Sequence, residues 1–414
     1  MEYGCIGARL GHSFSKEIHA LLADYRYELT EVAAADLPAF MRTADFKAIN
    51  VTIPYKQDVI PYLSWVSPEA ARIGAVNTIV NKNGRLSGYN TDFFGILSAM
   101  RRMGFPSLAG KKILILGTGG TSLTAMAVAE HLSAREIVRV SRTAKEGAVT
   151  YAEAREKHAD AQILFNASPS GMYPNAEDAP LLSLSDFPAL EGVFDAVYNP
   201  LRTRLILEAE ARGITAIGGL YMLVAQAFRA VEIFLDTALP AEKMEDTYRS
   251  ILREKENVVL IGMPSCGKTS VGRVLAEKLG RRLVDLDALI VEKAGRSIPE
   301  IFATEGETAF RDIESEVILS LAAENGLVIA TGGGAVLREE NRRRLKQNGR
   351  LYFLDRPVEL LMPTADRPTA STAAAILRRY EERYPIYTAA ADHVIPGEGS
   401  VAETAALLER SLSL

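Results

Sequence analysis

Gly262-Met263-Pro264-Ser265-Cys266-Gly267-Lys268-Thr269 is a complete G-x-x-x-x-G-K-T loop, set between the apolar run Val258-Val259-Leu260-Ile261 and a helical run from Ser270 to Leu279. In that setting the loop between Gly262 and Gly267 turns its backbone amides onto phosphate oxygens, Lys268 reaches the β and γ oxygens, and Thr269 ligates magnesium. The loop predicts a bound nucleotide and leaves the phosphoryl acceptor open. Asp285 and Asp287 follow at i and i+2 in Leu283-Val284-Asp285-Leu286-Asp287, on one face if the segment is extended. One carboxylate can then serve magnesium through water while the other holds or deprotonates an acceptor hydroxyl.

A second strand–turn–helix pattern lies earlier, in Lys112-Ile113-Leu114-Ile115-Leu116, the turn Gly117-Thr118-Gly119-Gly120-Thr121-Ser122, and a helical run from Leu123 to Leu132. Gly117 and Gly119 allow a tight turn and close approach to a pyrophosphate, with Ser122 in the small third position and Gly120 beside them. The next strand, Glu136 to Val140, ends in Ser141-Arg142-Thr143. An acid there would bind the ribose diol of NAD; Arg142 instead suits a 2′-phosphate, although a solvated strand-end cation has the same sequence. Further forward, Ile49-Asn50-Val51-Thr52-Ile53-Pro54-Tyr55-Lys56 alternates apolar and polar residues. The pattern predicts a strand that packs its apolar face inward, turns Asn50 and Thr52 to a cleft, and ends at the proline.

These elements must be carried by α/β domains. The chain has 414 residues, enough for two or three domains, and two strand–turn–helix openings about a domain apart suggest two nucleotide sites. The polar stretch Arg253-Glu254-Lys255-Glu256-Asn257 is the expected junction between a helix and a strand. Lys+Arg 47 against Asp+Glu 52 gives a net charge of −5, which argues against a nucleic-acid or anionic-membrane surface. Cys5 and Cys266 are far apart and lack metal-ligand spacing, which fits a reducing compartment. With no signal-peptide pattern at the start and no apolar run of membrane-spanning length, the expected location is the cytoplasm.

Six separated motifs of the first domain together resemble shikimate dehydrogenase, from Gly4 to about Arg249. They are Gly11-His12-Ser13-Phe14-Ser15, the Asn50–Lys56 segment, Gly74-Ala75-Val76-Asn77-Thr78, Gly88-Tyr89-Asn90-Thr91-Asp92, Asp195-Ala196-Val197-Tyr198-Asn199-Pro200 and Gly219-Leu220-Tyr221-Met222-Leu223-Val224-Ala225-Gln226. The resemblance implies that Ser13 and Ser15 hold the substrate carboxylate, that Thr52, Asn77 and Gln226 bind ring hydroxyls, and that Lys56 and Asp92 are the catalytic pair. Tyr198 falls in a segment lining the clefts. Gly117, Gly119, Gly120, Ser141, Arg142, Thr143 and Gly219 fall on the NADPH side. Asp92 also stands where the N-cap of a helix from Phe93 to Met103 would stand. Lys16 replaces the family's usual proline, and Ser141 its usual asparagine.

From Asn257 to about Glu409 the chain resembles shikimate kinase, through the P-loop, Asp285 and Asp287, Gly306-Glu307-Thr308-Ala309-Phe310-Arg311, Thr331-Gly332-Gly333-Gly334, Asp366-Arg367-Pro368 and Arg383-Tyr384-Pro385. By that resemblance Asp287, Arg311, Gly332, Gly333, Gly334 and Arg383 bind shikimate, Asp287 and Lys268 act in catalysis, and Thr269 with Asp285 serves Mg2+. Arg367 comes from a lid over the ATP phosphates, where the family commonly carries two arginines and this chain offers one. Taken alone, Arg311 and Glu314 at i, i+3 read as a surface helix pair.

The implied architecture is a shikimate-dehydrogenase-like domain over 1–253, in which a substrate lobe (1–100 and 220–252) flanks a Rossmann NADP lobe (101–219). A P-loop α/β domain with a parallel sheet follows over 257–414. The implied substrates are 3-dehydroshikimate and shikimate, with neither nucleic acid nor membrane as a partner. Two alternatives are an NAD-preferring quinate/shikimate dehydrogenase fused to the kinase, and a ligand sensor on degenerate enzyme domains. The sensor predicts loss of Lys56, Asp92, Lys268 or Asp287, and all four are present.

Overall fold

The computed structural model describes residues 1–11, 13–145, 147–178, 180–361 and 373–412. The chain divides into two compact units, Met1–Ile251 and Leu252–Leu414. The first unit opens with a mixed sheet of β1 (Tyr3–Gly7), β2 (Tyr27–Glu31), β3 (Ala48–Val51), β4 (Trp65–Val66), β5 (Thr78–Lys82) and β6 (Arg85–Tyr89), in the order β2-β1-β3-β5-β6-β4. β1 pairs in parallel with β2 and β3, whereas β5 is antiparallel to both β3 and β6.

A second sheet contains β7 (Lys112–Leu116), β8 (Glu136–Ser141), β9 (Val149–Thr150), β10 (Ile163–Asn166), β11 (Gly192–Asp195) and β12 (Thr215–Ile217). It is parallel throughout and runs β12-β11-β10-β7-β8-β9. That is the doubly wound order, and its reversal between β7 and β10 opens a crevice beyond the carboxyl ends of the strands. Every residue of β7, β10 and β11 is buried, as parallel strands covered on both faces must be.

The second unit has one parallel sheet of β13 (Asn257–Ile261), β14 (Leu283–Asp285), β15 (Val328–Ala330), β16 (Gly349–Asp355) and β17 (His393–Pro396), ordered β14-β15-β13-β16-β17. β13 is central and wholly buried, and the chain winds to one side of it and then to the other, so the loop after β13 also lies at a reversal. The substrate lobe, the doubly wound lobe and the P-loop domain are thus the architecture the sequence implies. Among the described residues no helix is long and apolar enough to cross a membrane.

Local structure departs from the sequence pattern in four places. The helix expected from Phe93 spans Thr91–Arg102, and its N-cap is Asn90, whose side chain accepts from the Phe93 N–H. Asp92 therefore sits in the first turn, where the helix dipole favours a carboxylate, and its side chain is free for another partner. Asp287 is not extended, because Asp285 caps the helix Leu286–Ala294 and accepts from the Asp287 and Ala288 amides. The polar stretch at the junction is mostly helix: Ala241–Lys255 runs to within one residue of β13, since Arg, Glu and Lys favour helix as readily as loop. Finally, β3 stops at Val51, Ile53 is 65% exposed, and Asn50 is buried among polar partners instead of facing a cleft.

The helix Gly219–Leu235 packs across Thr91–Arg102, and the crossing is close at Gly95. A Cβ there would stand 2.8 Å from the Met222 carbonyl oxygen and 3.2 Å from the Gln226 Cβ. Gly95→Val should therefore push the two helices apart and destabilise the first unit by about 1–3 kcal/mol, as overpacked cores do. Trp65 is the chain's single tryptophan and lies in this unit, so its fluorescence through urea unfolding reads the change. An unchanged midpoint would show that the crossing has slack.

Candidate active sites

Lys56 follows β3 and Asp92 opens the helix Thr91–Arg102; the Lys56 ammonium donates to Asp92 Oδ2 at 2.5 Å. Their side chains are only 13% and 7% exposed, so the pair is shielded from solvent. Asn90 holds the geometry: besides capping the helix it donates to the Ala75 carbonyl at 2.9 Å and to Thr124 Oγ1 at 3.3 Å. The Lys56 stem also lies against the start of the helix Gly120–His131, where a Cβ on Gly120 would meet Lys56 Cδ at 3.5 Å. The candidate catalytic lysine and the glycine turn are thus brought together.

Asn77 and Gln226 meet over Thr91. Asn77 Oδ1 accepts from the Thr91 N–H at 2.7 Å, while the Thr91 hydroxyl lies 3.3 Å from Gln226 Oε1. Ser13 and Ser15 are hydrogen-bonded to each other at 3.0 Å. Tyr198 joins them: burial pushes its phenol up to about 12, and a hydrogen bond with Ser13 works against that shift. Thr52 presses on β1, where a Cβ on Gly7 would come within 2.6 Å of its Cγ2. The buried Cys5 thiol, pushed up to about 12 by burial and pulled back by the Lys56 charge, lies behind these groups. Thr91 and Asn90 join the site without having been singled out for it.

On the cofactor side, Gly117 has φ of 112°, and a Cβ there would stand 3.0 Å from the Ala167 carbonyl oxygen, so the β7 and β10 turns approach closely at the reversal. Gly119 caps the helix Gly120–His131, turning its amides toward the crevice. Ser141 ends β8 in a buried position, while Arg142 and Thr143 stand exposed beyond it. The Arg142 charge reaches Tyr151, opposing the burial that pushes that phenol up to about 12. Gly219 leaves no room for a side chain, because a Cβ would lie 2.2 Å from the Ala196 carbonyl oxygen. Beneath this floor Asp195 is wholly buried and accepts from Asn166 Nδ2 at 2.9 Å, the Val197 N–H at 2.9 Å and the Thr203 hydroxyl at 2.6 Å.

In the second unit Gly262 and Gly267 take φ of 144° and 96°, and a Cβ on Gly262 would lie 2.9 Å from the Leu354 carbonyl oxygen. Lys268 is folded onto its own loop, donating to the Gly262 and Met263 carbonyls at 2.9 and 2.8 Å. The Thr269 hydroxyl donates to Asp285 Oδ2 at 2.7 Å. A hydroxyl and a carboxylate side by side are the hard oxygen donors that Mg2+ takes together with water and phosphate.

A cavity of about 490 Å³ opens beside the loop, lined by Asp285, Asp287, Arg311, Glu314, the three glycines and Arg383, with an apolar wall that includes Val291, Ile298, Phe302 and Phe310. Each glycine of the trio faces a different group. A Cβ on Gly332 would stand 2.9 Å from both Asp287 Oδ1 and Glu314 Oε1, one on Gly333 2.9 Å from Pro264, and one on Gly334 inside the Arg311 guanidinium. Arg383 donates to the Gly333 carbonyl at 2.9 Å, and Tyr387 donates to the same oxygen. Arg311 and Glu314 are not a surface pair: the carboxylate is wholly buried and accepts from Arg311 at 2.7 Å. Burial raises the Glu314 pKa, and the Arg311 charge opposes the rise. The spacing of Ile298 and Phe302 at i, i+4 was the available signal for the apolar wall. Arg367 lies outside the described residues.

Comparison with known proteins finds matches to both parts of the chain. Residues 5–79 match the family model for the shikimate dehydrogenase substrate binding domain, and residues 264–411 match that for shikimate kinase. The chain is 33% identical over 279 residues to the shikimate dehydrogenase (NADP(+)) of Syntrophomonas wolfei, covering 61% of this chain and 95% of that one. It is 37% identical over 251 residues to that of Geobacillus kaustophilus, covering 56% and 91%. Among solved structures, shikimate dehydrogenase 1 of Peptoclostridium difficile superposes with a TM-score of 0.56 at 33% identity, over 61% of this chain and 98% of that one. The Thermus thermophilus shikimate 5-dehydrogenase in complex with NADP(H) and shikimate gives 0.54 at 31%, over 60% and 99%.

Asp195 generates a pH prediction. Burial raises its pKa from 3.8 to about 7, while its three neutral donors pull the other way. The folded state binds this proton more tightly than the unfolded chain, so its stabilising contribution is complete below about pH 4 and is lost as pH rises through 7. Asp195→Asn should remove a stability slope of up to about 1.4 kcal/mol per pH unit across that window. Urea midpoints from Trp65 fluorescence between pH 4 and 8 decide it; identical slopes in the two proteins would mean Asp195 does not titrate there.

Proposed function

The chain belongs to the shikimate dehydrogenase family and carries a shikimate kinase domain behind that portion, and from this we propose two successive reactions. The first is reduction of 3-dehydroshikimate by NADPH to shikimate; the second is phosphorylation of shikimate by ATP to shikimate 3-phosphate. The observation that carries the first is the shielded Lys56–Asp92 pair beside the glycine turn. For the second it is the P-loop opening onto a cavity with Asp287, Arg311 and Arg383.

Bound NADPH supplies the hydride. As hydride adds to the ketone carbon, alkoxide charge develops on the oxygen, and the Lys56 ammonium both stabilises it and delivers the proton. Asp92 keeps that ammonium charged and aimed. Ser13 and Ser15 take the substrate carboxylate, with Tyr198 behind them, and Thr52, Asn77 and Gln226 take the ring hydroxyls. Arg142 takes the 2′-phosphate at the end of β8.

In the second unit Arg311 and Arg383 hold the shikimate carboxylate, and the backbone of Gly332, Gly333 and Gly334 lets the ring lie close. Asp287 accepts the proton of the reacting hydroxyl. Lys268 must exchange the Gly262 and Met263 carbonyls for phosphate oxygens when nucleotide binds, since one ammonium cannot satisfy both sets. Thr269 and Asp285 are the residues that would hold Mg2+, which when bound would neutralise phosphate charge. Arg367 is the proposed lid cation.

Two experiments test these assignments. Lys56→Ala should lower the reductase kcat by about 10²- to 10⁴-fold, the span of general acid–base catalysis, and leave phosphorylation of added shikimate intact. Lys268→Ala should do the reverse, and loss of both activities in either folded variant would defeat the assignment of separate sites. For the cofactor, Arg142→Ala should raise KM for NADPH by about 10- to 100-fold, as expected for a lost charge-assisted pair, with little change for NADH. Equal kcat/KM for NADH and NADPH in the unaltered protein would favour the NAD-preferring alternative.

A further inference from the structure

Behind Asn77 runs a chain of buried polar groups whose directions are fixed by main-chain partners. The Asn77 atom 2.7 Å from the Thr91 N–H faces a donor, so it must be the carbonyl oxygen Oδ1. The Asn50 atom 3.3 Å from the Asn77 main-chain carbonyl faces an acceptor, so it must be Nδ2. Asn50 Oδ1 is then left to accept from the Tyr27 hydroxyl at 2.7 Å. Burial raises the Tyr27 pKa well above its ordinary value, so the phenol keeps the proton it must donate. Asn50 Nδ2 also donates to Thr78 Oγ1 at 3.1 Å, and Thr78 donates its own proton to Asn77 Oδ1 at 2.9 Å. Tyr27, Asn50 and Thr78 are all buried, Thr78 completely.

We infer that Thr78, backed by Asn50 and Tyr27, is a positioning residue that joins the Thr91 N–H and hydroxyl in holding the Asn77 amide so that its NH2 is the end offered to the substrate. Gln226 is set in the same sense, since its Nε2 donates to the Leu223 carbonyl at 2.9 Å and its Oε1 faces the Thr91 hydroxyl. Two amide NH2 groups held in the same sense read substrate oxygens as acceptors. A ring hydroxyl or ketone satisfies such donors, whereas an analogue lacking the oxygen leaves them unpaired. The inference rests on the proposed role of Asn77 as a ligand of a ring hydroxyl.

Thr78→Val removes the hydroxyl with little change of shape, and Thr78→Ser retains it. With ATP omitted, the readouts are KM for 3-dehydroshikimate, KM for NADPH, kcat, and the urea midpoint from Trp65 fluorescence. Thr78→Val should raise KM for 3-dehydroshikimate about 10-fold, the loss expected when one hydrogen bond to a recognition group is removed, and leave KM for NADPH unchanged. Thr78→Ser should restore it to within about 3-fold. A lower urea midpoint with both KM values unchanged, or raised together, would assign Thr78 a merely structural role and overturn the inference. Asn77→Ala separates the two levels of the argument. If it raises KM for 3-dehydroshikimate while Thr78→Val does not, the positioning role fails and the role of Asn77 stands; if neither raises it, the role of Asn77 fails as well. Should Thr78→Val not fold, Tyr27→Phe carries the test, since it deletes only the outermost donor: a raised KM for 3-dehydroshikimate supports the chain, and an unchanged one overturns it.

Discussion

Taking an ammonium and a carboxylate out of water costs several kcal/mol per ion, and their attraction offsets this only when the two are held in good geometry. Lys56 and Asp92 meet at 2.5 Å in such a place, and the segments that carry them come from different layers of the first unit. Lys56 arrives on the loop that ends β3, so the mixed sheet sets its position. Asp92 arrives on a helix whose start is fixed by Asn90, which reaches at once to Ala75 and to Thr124. The depth of that helix is set in turn by Gly95 against Met222, which also delivers Gln226. Hence the cap, the glycine and the sheet register all serve one ion pair, and a change at any of them is felt at that pair.

The second unit meets a similar demand through its backbone. Gly332, Gly333 and Gly334 follow β15, and each stands where a side chain would strike a group of the cavity. Glycine's missing Cβ is what lets Asp287, Pro264 and Arg311 converge on three successive peptide units. The Arg311–Glu314 pair is withdrawn from water and would be costly to break from one side, so Glu314 keeps the guanidinium where the glycines leave room for it. Lys268, by contrast, is held by the Gly262 and Met263 carbonyls and the Cys266 sulfur, neutral partners that a phosphate can replace.

Much of this was legible in the sequence, because each nucleotide turn has a local signature: an apolar strand, glycines at fixed spacing and a helix. β7 and β13, with the turns after them, fall where that signature puts them. What stayed hidden depends on tertiary partners. Nothing local distinguishes Asn90 from Asp92 as the cap, since both residue types cap well; the choice follows from Lys56 drawing Asp92 away. The pairing of Asp285 and Asp287 on an extended face failed because an aspartate can turn the chain into a helix as readily as continue a strand. Arg311 and Glu314 have a spacing that usually means a solvated pair, and it is tertiary packing, with the glycine trio close against both side chains, that buries them. Asn50 has the alternation of a cleft-facing residue, yet Tyr27 and Thr78 claim its side chain.

On the proposed assignment one compound is product at the first site and substrate at the second, and the two sites meet its carboxylate with different chemistry. In the first unit the carboxylate is taken by the hydroxyls of Ser13 and Ser15, which are neutral donors already hydrogen-bonded to each other. In the second it is taken by Arg311 and Arg383, whose donors are charged and, at Arg311, pre-aimed by Glu314. Charge-assisted hydrogen bonds are roughly twice as strong as neutral ones, so the second site is built to hold the carboxylate more firmly. That asymmetry suits the order of events. A reductase that gripped its product with guanidinium groups would turn over slowly, because release often limits kcat. A kinase must keep the acceptor hydroxyl aligned with a phosphoryl group and exclude water as a competing acceptor, so firm anchoring at the far end of the ring contributes directly to catalysis. On that assignment the residue types at the two proposed carboxylate sites, serine in one and arginine in the other, follow from what each reaction requires of the same molecule.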